Sequence, residues 1–70
     1  MNVMEEPKYP NITVRLIGED GNAFFILGRV TSALKRAGVA QEDIKAFTAE
    51  AMSGDYDNLL AMVMRTVVVA

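Results

Sequence analysis

Three groups of residues have the types and spacing that chemistry requires. Glu50, Asp55 and Asp57 stand close enough in the chain to offer oxygen ligands to a hard cation. The spacing lacks the further acidic positions and closing glutamate of an EF-hand loop, and an aspartate just before an apolar periodic run is a helix N-cap signal. Capping therefore explains these carboxylates better, and no metal is expected.

The second group is the turn Gly18-Glu19-Asp20-Gly21-Asn22. It follows a strand pattern and precedes a helix pattern, the position where exposed backbone amides hold phosphate. Asp20, Gly21 and Asn22 are the candidate ligand-binding residues there. However, the G-x-G-x-x-G spacing and the Gly-Lys-Ser/Thr ending are missing, and Glu19 and Asp20 repel an anion. The turn reads more readily as a capped helix start, with Asp20 or Asn22 as the cap.

The third group is aromatic and basic. On a helical wheel Phe24 lies at the edge of the apolar face beside Thr31 and Lys35, while Phe25 falls on the polar back with Arg29, Ser32 and Arg36. Gly28 leaves a notch between the rings. An exposed aromatic beside arginines is typical of an interface hot spot. Phe25, Arg29, Ser32 and Arg36 are accordingly the candidate partner-binding residues, joined by an outward Met62 as an adaptable contact.

Composition narrows the function classes. The chain has 70 residues without cysteine or histidine, which removes thiol nucleophiles, disulfides, Cys/His zinc sites and histidine acid–base catalysis. No catalytic residue and no cofactor is expected, and an enzyme is the least favoured class. Seven basic against nine acidic residues, net −2, do not mark a general binder of nucleic acid or anionic membrane. The start of the chain has no basic region leading into an apolar run, and the longest apolar stretch is far below the roughly 20 residues of a membrane span. A cytoplasmic protein is the expectation. At 51% hydrophobic residues and this length, the core is thin and has no covalent staple, so self-association as a dimer is expected to supplement it.

The elements that must position these residues follow from periodicity. Residues 1–10, with two prolines and Glu5-Glu6, read as a mobile arm whose end near Tyr9-Pro10 runs along the fold; residues 11–70 form the single domain. Asn11 to Ile17 alternates as a half-buried strand, with Ile12, Val14 and Leu16 on one face and Thr13, Arg15 and Ile17 on the other. Asn22 to Ala37 carries Ala23, Ile26, Leu27, Val30, Ala33, Leu34 and Ala37 on one helical face and ends at Gly38. A second helix spans Gln41 to Met52, with Ile44, Phe47 and Ala51 inward. A third opens at Asp55 and turns Tyr56, Leu59, Leu60, Val63, Met64 and Val67 inward, with Met62 and Arg65 outward. The β-branched ending Thr66 to Ala70 reads as a short second strand in preference to a continuation of that helix. The fold class is α+β, strand-helix-helix-helix-strand, with the helices on a short two-stranded sheet that extends across a dimer.

Two resemblances attach to these residues. The strand Ile12-Thr13-Val14-Arg15-Leu16 followed by two helices, with Ala37 to Ile44 at the turn between them, is similar to the ribbon-helix-helix DNA-binding family. That resemblance implies that the strands of two chains pair, that Thr13 and Arg15 read bases in the major groove, and that the start of the second helix near Gln41 approaches phosphate. Glu42 and Asp43 stand at that helix start and oppose a phosphate. Over a longer span, GNAFFILGRV, ALKRAGV, EAMSGDYDNLL and the valine-rich end resemble small uncharacterised bacterial proteins of the type found beside phage and plasmid genes. This second resemblance implies an accessory protein of a mobile element, including an inhibitor of a host system, and no catalytic residues. The expectation is a non-catalytic binding module acting by protein contact. The alternatives are a ribbon-helix-helix-like repressor and a small-ligand or nucleotide binder at the Asp20–Ala23 helix start.

Overall fold

The computed structural model describes residues 6–16, 18 and 21–70. Their order is β1 (Tyr9–Val14), α1 (Ala23–Arg36), α2 (Gln41–Ala51), α3 (Tyr56–Thr66) and β2 (Val67–Val69). This is the α+β order expected, and the valine-rich ending is the second strand. β1 starts earlier than the alternation suggested, because Tyr9 and Pro10 belong to it rather than to an arm. Residues 1–5 of the expected arm, and Ile17, Glu19 and Asp20, lie outside the described residues.

β1 and β2 pair in parallel, with Tyr9 opposite Val67, Thr13 opposite Val68 and Val14 opposite Val69. The irregularity between Tyr9 and Thr13 lets Tyr9 and Ile12 both pack against the core, which a regular period of two forbids for residues three apart. The ladder runs on past the strand ends, since the Leu16 N–H donates to the Ala70 carbonyl and the Ala70 N–H to the Val14 carbonyl, each at 2.9 Å. At the other end the Lys8 N–H donates to the Arg65 carbonyl.

The helices cover one face of this ribbon. α1 packs on β1 and α3 on β2, while α2 rests on both helices. Val14, Ile26, Leu27, Val30, Leu34, Ile44, Phe47, Ala51, Leu59, Val63 and Val67 form the buried core. Val30, Leu34, Val63 and Val67 are sealed completely, so each contributes about 1.5–3 kcal/mol of burial. Of the α1 face read from the sequence, Ile26, Leu27, Val30 and Leu34 are buried, Ala23 and Ala33 half-buried, and Ala37 exposed beyond the helix end.

Local signals fix the helix ends. Asn22 caps α1, its side-chain oxygen accepting the N–H of Phe24 at 2.8 Å and of Phe25 at 3.3 Å. Gly38, with φ +87°, closes α1: its N–H reaches the Lys35 carbonyl, and the Val39 N–H reaches the Leu34 carbonyl. Asp55 caps α3 through the Asn58 N–H at 2.9 Å. The Asn58 side-chain amide then donates to the Glu50 and Ala51 carbonyls at 2.9 and 3.3 Å, tying the open end of α2 to the start of α3.

On α3 the expected phasing needs correction. Leu59, Val63 and Thr66 are its buried residues, whereas Tyr56 and Met64, expected inward, are 44% and 61% exposed. Met62, expected outward, packs against the core. For Met62 the neighbour is the start of β1: Tyr9, with Lys8 just before the strand, lines the same depression as Met62 and Thr66, on a flank that a free arm would leave open. No helix among the described residues is long and apolar enough to cross a membrane.

Candidate functional site

Because α1 lies over β1 and β2 flanks β1 on one side, the outer flank of α1 stands beside the strand edge that β2 leaves uncovered. Phe25, Arg29, Ser32 and Arg36 recur along that flank at steps of three and four, the repeat that stacks side chains on one helical face. Thr13 and Arg15 belong to the strand set opposite Val14, and both are exposed. Helix flank and strand edge enclose an open groove of about 600 Å³, lined by Thr13, Arg15, Phe25, Arg29, Ser32 and Arg36 among others. The four α1 residues proposed for partner contact and the two strand residues proposed for DNA reading thus share one surface.

The groove has an aromatic floor and a basic wall. Phe25 is half-buried, not fully outward as the helical wheel suggested, and it lines the same groove as Thr13, Val14 and Arg15 of the strand side. The Arg29 guanidinium sits over that ring, 5.2 Å from its centroid. Such a pair contributes about 0.5–1 kcal/mol at an accessible site and holds both side chains in place. Gly28 lines the groove, and a methyl group there would meet nothing within 4 Å. The space above Gly28 is therefore open. Arg15, Arg29 and Arg36 are the charged residues among the described lining, so every charge there is positive in a chain of net charge −2.

No family model, curated protein or solved structure matches the chain.

The other candidates are placed elsewhere. Met62 lines a separate depression with Tyr9, Phe47 and Thr66, none of which lines the groove. Of the ligand-binding trio, Asp20 lies outside the described residues. Asn22 already holds the Phe24 and Phe25 amides, and the Gly21 carbonyl accepts the Tyr56 hydroxyl. The helix start is therefore engaged with its own cap. Asp55 serves as the α3 cap, and no cluster of acidic residues suited to a metal occurs among the described residues.

One surface escaped the sequence reading. Phe24 is 76% exposed, and with Met52, Tyr56 and Met64 it makes up the exposed large hydrophobics among the described residues. All four line two neighbouring depressions that share Tyr56, where the start of α1 meets the end of α2 and the start of α3. The signal was available in Phe24 at the rim of the apolar face. What hid it was the assignment of Tyr56 and Met64 to the core.

Proposed function

We propose that the chain is a non-catalytic binding module that acts by protein contact through the groove between β1 and α1. The observation that supports this reading is the convergence of Phe25, Arg29, Ser32 and Arg36 with Thr13 and Arg15 on one surface. An aromatic ring braced by an arginine, beside a notch at Gly28, is the arrangement that anchors a partner side chain. Self-association belongs to the same reading. The thin core and the apolar end face around Phe24 and Tyr56 favour a dimer that leaves the basic groove open to a second protein. An accessory role in a mobile element, as an inhibitor of a host system, is one form such contact takes.

Ser32→Glu tests the proposal, because Ser32 is exposed and the variant sets a negative charge among the arginines without entering the core. A protein captured by the wild type is expected to be lost with Ser32→Glu at unchanged thermal stability. Equal capture by both places the contact elsewhere. The DNA-binding reading has one observation in its favour, the position of Arg15 beside two further arginines. It differs from the ribbon-helix-helix pattern in that β1 pairs in parallel with β2 of its own chain. Salt-dependent binding of a DNA duplex that Arg15→Ala abolishes would support it.

A further inference from the structure

We propose that the occupant of the groove is an extended acidic segment of a partner protein, added as a strand along the open edge of β1 with its carboxylates against Arg15, Arg29 and Arg36. This inference rests on the protein-contact reading above and names the chemistry of the partner.

Backbone direction gives the first argument. The ladder to β2 uses the Val14 carbonyl and the Leu16 N–H. In a strand the backbone groups of successive residues point to opposite edges, so those of Thr13 point away from β2 and toward the groove. The irregularity between Tyr9 and Thr13 interrupts the first half of that edge, as protective devices on edge strands do. The half beside Phe25 is regular. A short segment laid there gains main-chain hydrogen bonds from the edge, and its alternate side chains face the α1 flank.

Charge gives the second argument. The described lining carries three arginines and no carboxylate. Arg15 and Arg29 have partners within the chain, so they enter as positioned positive charges, with which an arriving carboxylate shares or exchanges contacts. Arg36 stands on the exposed last turn of α1. Guanidinium forks suit planar carboxylates and reject ammonium groups, which selects acidic over basic segments. The ring of Phe25 and the notch at Gly28 supply an apolar contact between the charged positions.

The test uses the full chain and a fluorescein-labelled, capped peptide alternating glutamate and threonine, read by anisotropy at low salt. Binding is expected, with affinity falling about tenfold in Arg36→Glu and in Ser32→Glu and falling further as salt rises. A peptide N-methylated at one alternate set of residues is expected to lose binding, while methylation of the other set is tolerated, because only one set faces β1. The inference is overturned if both methylated peptides bind equally, or if the glutamate peptide shows no binding. If the counterpart alternating lysine and threonine binds instead and Ser32→Glu alters its affinity, the protein-contact reading stands and the acidic partner is wrong. If neither peptide binds while a DNA duplex does so in a manner sensitive to Arg36→Glu, both fall.

Discussion

The guanidinium carbon of Arg29 lies 5.2 Å from the centre of the Phe25 ring, one helical turn away on the same flank of α1. That stack sets the guanidinium over the ring within the groove that both residues line. It also separates the two adjacent phenylalanines by role. Phe25→Ala is expected to destabilise the fold by about 1–2 kcal/mol, through loss of half-buried area and of the stack. Phe24→Ala is expected to stay within about 0.5 kcal/mol, since the ring is 76% exposed. Urea denaturation of both variants decides the matter, and equal losses would mean that the two rings are packed alike.

Helix α2 begins without a side-chain cap, at Ala40, whereas α1 and α3 begin at Asn22 and Asp55 with their caps made. Ala40 is exposed and its extended backbone has the conformation a cap requires. Ala40→Asp is expected to raise stability by about 0.5–1 kcal/mol, reduced somewhat by Glu42 and Asp43 already in the first turn. Asn22→Ala is expected to lower it by about 1 kcal/mol, because two N–H groups lose their acceptor. Thermal melts of the two variants should move in opposite directions.

These caps show which parts of the fold were legible in the chain and which were not. Asn22, Gly38 and Asp55 act within a few residues of themselves, so sequence spacing located the helix ends to within about a residue or two. The buried stripe of α1 was legible for the same reason. Phe25 and Met62 were not, since each lies on the margin of a helix face and its burial depends on where β1 runs. Starting β1 at Tyr9 sets Lys8 and Tyr9 along the depression that Met62 lines, and the place of β1 in the sheet sets Thr13 and Arg15 along the groove that Phe25 lines. Both are long-range consequences of joining the first and last elements of the chain. The groove residues were therefore identified singly, on the helix and on the strand, and their meeting was not foreseen.

Asn58 joins the end of α2 to the start of α3, its side-chain amide donating to the Glu50 and Ala51 carbonyls. Asn58→Asp removes both donors and sets a carboxylate against two carbonyl oxygens, at an expected cost of about 1–3 kcal/mol. A negative charge in the first turn of α3 returns about 0.3–1 kcal/mol, so the net effect remains destabilising. Gly54→Ala attacks the same junction sterically, because its methyl carbon would lie 2.9 Å from the Asn58 Cβ. The two substitutions disturb one contact, and their combined loss in urea denaturation is expected to be smaller than the sum of the separate losses.

Gly28 sits within α1, where glycine costs about 0.5–1 kcal/mol relative to alanine. Nothing lies within 4 Å of the position a methyl group would take, so packing does not account for a glycine there. Gly28→Ala is accordingly expected to raise the denaturation midpoint, with a gain of that size. The same methyl projects into the groove beside Phe25, where the proposed segment lies. Binding of the glutamate–threonine peptide is therefore expected to weaken in Gly28→Ala while stability rises. Ala33→Gly, on the same helix but at a half-buried position against the core, supplies the contrast by lowering stability through lost packing as well as glycine's backbone entropy. A Gly28→Ala variant that is more stable and binds the peptide as well as the wild type would show that the notch is not part of the binding surface.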